Sequence, residues 1–303
     1  MAIKDIDKRV VIGAGAVLGV VAVGGAVAVA SRVVQIVRTK AGSARVKTLR
    51  LSDGNKIRVL VSGDVYQSAT YLGKRWAEPV FAYYRAFDAM FDAEPAMLDA
   101  RTHGIDHVLM LGGGGYSYPK HALTTRAGLM MDVVEIDPAV TRAARRWFYL
   151  DRLEQEAGRR LHIFTDDGRN YLKRIAASTC RYDAVLNDCF CGNEPVYELA
   201  TVEALSDVRT CLNPGGMYLA NIVSREEGAD VSFLRDAVAS ALKVFRYAWV
   251  IEASDEEWGG ESNYLLIASD DAYSFTNDIP FDKDFAASPM FDRKGLFGRS
   301  SRR

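Results

Sequence analysis

The chain has 303 residues, 49% hydrophobic and 25% charged, with a formal net charge of −1 at pH 7. That composition excludes a disordered chain and allows a sizeable core, while a balance so near zero supplies no field to gather a polyanion, so nucleic acid is set aside as a partner. The four cysteines, Cys180, Cys189, Cys191 and Cys211, lack both the density of a secreted disulfide scaffold and a CxxC pair of zinc-site spacing, and read as reduced thiols with no metal.

Residues 10–30 form an unbroken run of Val, Ile, Leu, Ala and Gly, long enough at helical rise to cross a bilayer. The expectation is one transmembrane helix. Lys4, Lys8 and Arg9 precede it, diluted by Asp5 and Asp7, and six basic residues from Arg32 to Arg50 follow it. Positive-inside counting then places a membrane-anchored, single-pass protein with its C-terminal domain in the cytoplasm. A cleaved signal peptide ending at Ala28-Val29-Ala30 is the alternative reading. Gly15 and Gly19 match a helix-pairing motif only weakly in so Gly- and Ala-rich a run.

Residues 1–40 are thus assigned to a tail and anchor. Residues 41–100 follow as a small unit: "RVKTLRLS" and "KIRVLVSGDVYQSATYL" have strand character and are joined by "DGN", which predicts an antiparallel β unit. "EPVFAYYRAFDAMFD" has apolar and aromatic residues at helical spacing and reads as a core-facing helix.

From 101 to 275 short apolar runs alternate with amphipathic stretches, as a doubly wound α/β sheet requires. The runs are 107–111, 131–137, 161–167, 182–188, 216–223, 247–253 and 262–269. Only "SDEEWGGE" separates the last two, too short for a helical crossover, so they are expected to pair antiparallel. Five parallel strands followed by such a hairpin outline a class I S-adenosylmethionine-methyltransferase-like fold. Residues 276–303 form a tail, and its basic end, "FDRKGLFGRSSRR", is assigned to disorder.

The candidate cleft lies at the strand ends. Gly112, Gly113, Gly114 and Gly115 follow the first strand, where glycine lets backbone N–H groups approach a ligand. Glu135 ends the second strand and can accept both hydroxyls of a ribose. Asp166 and Asp167 end the third, where Asp167 meets an adenine amino group or caps the next helix. Asp188 ends the fourth, as a base at the cleft or as the polar end of a buried strand. Three successive strands ending in acids at one rim point to a nucleoside cofactor.

"GDVYQSATY", "LGGGGYSYPK", "VVEID", "DDGRNYL" and "YDAVLND", then "ELATVEAL", occur in an order that resembles the spermidine synthase (polyamine aminopropyltransferase) family. The resemblance spans about residues 45–270. It implies Glu135 on the ribose, Asp167 near the adenine, Asp188 as the aspartate taking a proton from the attacking amine, Gln67 close to the site, and a homodimer built through the β unit. The implied cofactor is S-adenosylmethionine or its decarboxylated form, used as co-substrate, and the implied partner is a small molecule of the polyamine kind. Departures accompany it. The family's glycine turn carries an aspartate that would hold the aminopropyl ammonium, and that position is Gly115, followed by Tyr116 and Ser117. The second acid of the loop after strand four is replaced by Cys191, and the family's Tyr-Gln-Glu is best matched by Trp76-Ala77-Glu78. The adenosyl half is retained and the amine half depleted, although Glu194, Glu198, Asp255, Glu256 and Glu257 are candidate substitutes.

Cys189 and Cys191, with no histidine nearby, read as packing residues of the substrate loop. Trp258-Gly259-Gly260 reads as a hairpin turn before a lid, and His121 borders the site. The expectation is a membrane-tethered transferase moving an aminopropyl or other alkyl group, with a methyltransferase and a non-catalytic adenosyl-binding scaffold as alternatives.

Overall fold

The computed structural model describes residues 21–23, 26–63, 65–101, 103–191, 194–225, 231–253, 261–282 and 284–293. The chain starts as an antiparallel meander: β1 (Val21–Val23), β2 (Ala26–Thr39), β3 (Gly42–Leu51), β4 (Lys56–Ser62) and β5 (Val65–Tyr71). In β3 the buried residues are Ala44 and Val46, then Leu49 and Leu51, so the strand alternates in two short stretches whose inward face changes between Val46 and Leu49. At the predicted "DGN" turn, Asp53 accepts the Asn55 N–H at 2.8 Å, the Asx-turn chemistry that closes tight connections. The second predicted run, 56–72, divides into two strands at Gly63, whose φ of +58° turns the chain back.

The transmembrane helix is corrected over the part of its span that is described. Residues 1–20 and 24–25 lie outside the described residues, but Val21–Val23 and the first residues of β2 are strand, with Val21 opposite Ala28 and Ala28 opposite Leu51. No helix among the described residues is long and apolar enough to cross a membrane. The physical reason is in the residues: "VAV" and "AVAVAS" alternate β-branched with small side chains, and valine's stiff χ1 favours the pleated backbone over the helix.

A connecting stretch follows. The single helix expected from the aromatic run is divided into α1 (Ala82–Ala86), a 3₁₀ segment over Phe87–Ala93 and α2 (Glu94–Arg101). Tyr84, Phe87, Met90 and Met97 are buried. They belong to one apolar cluster with Val46, Ile57 and Val59 of the meander and Met110, Val133 and Leu186 of the large sheet. The β unit therefore shares a core with the sheet it precedes.

That sheet is built from β6 (His107–Leu111), α3 (Ser117–Thr125), β7 (Met130–Glu135), α4 (Pro138–Trp147), α5 (Leu150–Ala157), β8 (Leu161–Thr165), α6 (Gly168–Ala176) and β9 (Tyr182–Asn187). A small ribbon, β10 (Phe190–Cys191) and β11 (Glu194–Pro195), comes next, then α7 (Val202–Cys211), β12 (Leu212–Arg225), α8 (Ser232–Val244), β13 (Tyr247–Glu252) and β14 (Glu261–Ser269). The order is β13-β14-β12-β9-β6-β7-β8. Strands β12, β9, β6, β7 and β8 are parallel, and β14 runs antiparallel to both β12 and β13, as the short connection required. Side chains of α3, α4 and α5 pack on the face shared with the β unit, and those of α6, α7 and α8 on the other. The chain moves outward through β7 and β8, then returns to β9 on the opposite side of β6. This reversal opens a crevice at the carboxyl ends of β6 and β9.

Beyond β14 the chain packs down rather than trailing away. Val202 N–H donates to the Met290 carbonyl at 2.8 Å, Met290 N–H to Ser240 Oγ at 2.8 Å, and Thr201 Oγ1 to Asp292 at 2.8 Å. Of the basic end, residues 294–303 lie outside the described residues.

Candidate active site

The crevice is closed at its base by backbone. Gly112 N–H donates to the Val134 carbonyl and Asp188 N–H to the Leu111 carbonyl, both at 2.9 Å, so the strand-end residues are fixed before any side chain acts. Gly112 has φ +93°, and a Cβ there would lie 2.5 Å from the Asp188 carbonyl oxygen. Only glycine satisfies both conditions. The turn then lifts Gly113 and Gly114 so that both N–H groups donate to Glu135 Oε2, each at 3.0 Å, while Asp137 N–H donates to Oε1 at 2.9 Å. A carboxylate offers about four acceptor positions, so Glu135 braces the turn and keeps one for a ligand.

The third acid has a second duty as well. Asp167 accepts the Asn170 N–H at 2.9 Å and caps α6, so the capping alternative describes one of its oxygens. Asp166 is engaged elsewhere, with Arg174 at 2.5 Å. Burial first, then the charges of Glu135, Asp188 and Asp167, push the Cys189 thiol well above its ordinary pKa. That thiol stays protonated, the opposite of what a nucleophile needs.

Asp188 is part-buried, and burial raises its carboxyl to about 6, against a lowering hydrogen bond from Asn221. Asn221 Nδ2 donates to Asp188 Oδ1 at 2.9 Å. On the α1 side stand Tyr83 and Tyr84, with ring centroids 4.2 Å apart. Burial raises both phenols and the Asp188 charge raises them further. Beside Cys189 a shallow recess is lined by Asn187, Val196, Tyr218, Asn221 and Phe233 among others.

Other predicted residues fall where their chemistry is used differently. Gln67 places its carbonyl 3.8 Å from where a Cβ on Gly114 would stand. His121 is bound to Asp88, Nε2 to Oδ2 at 2.7 Å. Glu78 pairs with Arg75 at 2.6 Å, and Trp76 is buried. Of Cys191 and Glu194 only the backbone, in the β10–β11 ribbon, is described, and Trp258, Gly259, Gly260 and the acids 255–257 lie outside the described residues. Tyr83, Tyr84, Asn221 and Ser68 were missed. An asparagine inside the apolar "MYLANIV" and the tyrosine doublet were the available signals. Among the described residues no group of three or more His, Cys, Asp or Glu side chains could hold a metal ion.

Residues 95–252 match the spermine/spermidine synthase domain. The chain belongs to the spermine/spermidine synthase domain family. One relative of this family member is a polyamine aminopropyltransferase of Vibrio vulnificus (strain CMCP6), 33% identical over 119 residues, which are 39% of this chain and 38% of that protein. The match thus spans well under half the length of that relative. Among solved structures, a probable spermidine synthase from Corynebacterium glutamicum superposes with a TM-score of 0.62 at 23% identity, covering 80% of this chain and 82% of that one. Human methyltransferase-like protein 13 in complex with SAH gives 0.51 at 22%, covering 62% and 82%. These two likenesses establish for this spermidine-synthase-family chain the class I methyltransferase-like fold.

Proposed function

We propose that this protein is a transferase that uses an adenosyl sulfonium co-substrate to alkylate an amine-type acceptor, with Asp188 receiving the acceptor's proton. The observation that carries the reading is the glycine turn itself, whose Gly113 and Gly114 N–H groups bind Glu135 and where a Cβ at Gly112 would strike the Asp188 backbone. The Vibrio aminopropyltransferase and the SAH complex of a similar fold support the same ligand class. Gly112, Gly113 and Gly114 would let the nucleoside approach the backbone, Glu135 would take the ribose, Asp167 the adenine, and Gln67 would border the tail.

The bound sulfonium supplies an electrophilic carbon: the acceptor's lone pair forms the new bond to it as the carbon–sulfur pair withdraws onto sulfur. The protein's own task is the proton. An amine must be neutral to attack, and its ammonium, with a pKa of about 10, is the abundant form at neutral pH. Asp188 at about 6 is ionised at neutral pH yet more basic than an exposed aspartate, and Asn221 fixes the orientation of its carboxylate.

Isothermal titration with S-adenosylmethionine, its decarboxylated form and methylthioadenosine tests the reading. Binding of at least one is expected, and failure of all three overturns it. With an acceptor in hand, Asp188→Asn should bind nucleoside and lose turnover by about a hundredfold or more; retained turnover removes Asp188 from the chemistry.

A further inference from the structure

The corner of the cleft at Gly115 is built differently from an ammonium site. A Cβ on Gly115 would stand 2.5 Å from Ser68 Oγ, 3.1 Å from Ser68 Cβ and 3.0 Å from the Phe148 ring. A side chain at this position would have to displace the Ser68 hydroxyl. Ser68 is itself 0% exposed, and its hydroxyl is hydrogen-bonded to Ser117 Oγ at 3.2 Å and to the Tyr84 hydroxyl at 3.3 Å. Ser117 Oγ donates onward to the Ala69 carbonyl at 2.6 Å. Neutral hydroxyls from β5, α1 and α3 thus fill the place of an acid.

Behind them is a cation. Lys120, one turn along α3 and 1% exposed, donates from Nζ to Thr70 Oγ1 at 2.7 Å and to the Phe148 carbonyl at 3.1 Å. Both acceptors are neutral, and Phe148 is the residue whose ring blocks Gly115. Among the described residues no carboxylate pairs with Lys120. Burial lowers Lys120 to about 7, so at and below that pH its ammonium, without a counter-charge, repels a second cation and attracts an anion.

We infer that this corner selects a sulfonium nucleoside whose tail carries its own carboxylate, as S-adenosylmethionine does, over the decarboxylated form, and that Ser68, Gly115 and Lys120 set the preference. The inference rests on the reading proposed above. The decarboxylated tail brings an ammonium alone, which meets hydroxyls and a lysine at this corner, with the Asp188 carboxylate on the Tyr84 side. The amino-acid tail brings an ammonium together with a carboxylate, whose charge the lysine complements.

Titration of the 303-residue chain with the same three nucleosides separates the two claims. S-adenosylmethionine should bind about tenfold or more tightly than the decarboxylated form. Equal or tighter binding of the decarboxylated form overturns the inference while leaving the adenosyl reading intact; silence from all three, methylthioadenosine included, removes that reading itself. The double variant Ser68→Gly with Gly115→Asp, which removes the Ser68 clash and leaves only the Phe148 ring to shift, should reverse the preference. Lys120→Met should weaken S-adenosylmethionine about tenfold. Methylthioadenosine has no charged tail and reports whether each variant keeps its nucleoside half. A variant that binds methylthioadenosine yet keeps the wild-type ratio counts against the inference.

Discussion

Asp188 and Lys120 are side chains whose burial works against their charge, and they make predictions of opposite sign. The folded-state pKa of Asp188 is raised from 3.8 to about 6, so between those values the folded chain holds a proton that the unfolded chain has lost. Stability therefore falls as pH rises through that window and stays lowered above it. Asp188→Asn, which keeps an acceptor for Asn221, is expected to stabilise the fold by about 1–2 kcal/mol at pH 7–8, a value discounted for the partial exposure of the carboxylate. Thermal melts should show the gain shrinking toward pH 4, and a gain independent of pH would remove the burial argument. Lys120 is lowered from 10.5 to about 7 by burial, so the unfolded chain binds the extra proton between those values and wild-type stability rises with pH across them. Lys120→Met should accordingly be the more stable form near pH 7, by about 2 kcal/mol or more, and lose that advantage by pH 9–10, where Phe148's carbonyl is left without its donor. Denaturant titrations at the two pH values measure it. Asp188 was legible in the sequence because a carboxylate ending an apolar run at a sheet's rim is a local pattern. Asn221, Tyr83 and Ser68 were not, since each reaches the cleft from an element remote in sequence. Lys120 was passed over because an isolated lysine in a helix ordinarily lies in solvent.

Elements repeat the contrast. The strands of the large sheet and its closing hairpin were legible almost to the residue, because buried parallel strands are short apolar runs with clear punctuation. The described end of the N-terminal apolar run, residues 21–23 and 26–30, is strand rather than the expected helix, because length alone, without a polar side chain to reveal the period, does not distinguish the two, and its Val/Ala alternation carries the better signal. The β unit was predicted smaller than it is for the same reason. The glycine turn offers the sharpest test at this scale. Gly112→Ala forces a left-handed φ on an L-residue and drives a methyl into the Asp188 carbonyl, which should cost about 2–4 kcal/mol and abolish nucleoside binding. Gly128→Ala, with no atom within 4 Å of the added methyl, should change stability by less than about 1 kcal/mol. Denaturation midpoints of the pair decide whether the turn is held by sterics; comparable losses would show that it is not.

At the scale of the whole molecule, the loop after Asp188 is held from both ends of the chain's fold. Its near end is the backbone pairing at Leu111 and Asp188, and its far end is Thr201, which caps α7 through Ala204 at 3.2 Å and donates to Asp292 at 2.8 Å. Asp292 also lies 3.4 Å from Arg169, a buried guanidinium at the start of α6 that is bound to Asp207 as well, and its own N–H donates to Glu203 at 2.9 Å. The segment around residues 285–293 thus ties α6, α7 and α8 together next to the cleft, a role that a compositional reading of the tail had no means of finding. Asp292→Ala leaves Arg169 with a single acid and removes an acceptor from Thr201. The expected loss is about 1–3 kcal/mol, less than for a buried charge left wholly unpaired. Hydrogen exchange should localise it: the amides of Val202 and Met290, bonded across this junction, should exchange faster, while those of β6 and β9 keep the protection of the global fold. Uniform acceleration across the sheet would mean instead that the strap belongs to the same cooperative unit as the core.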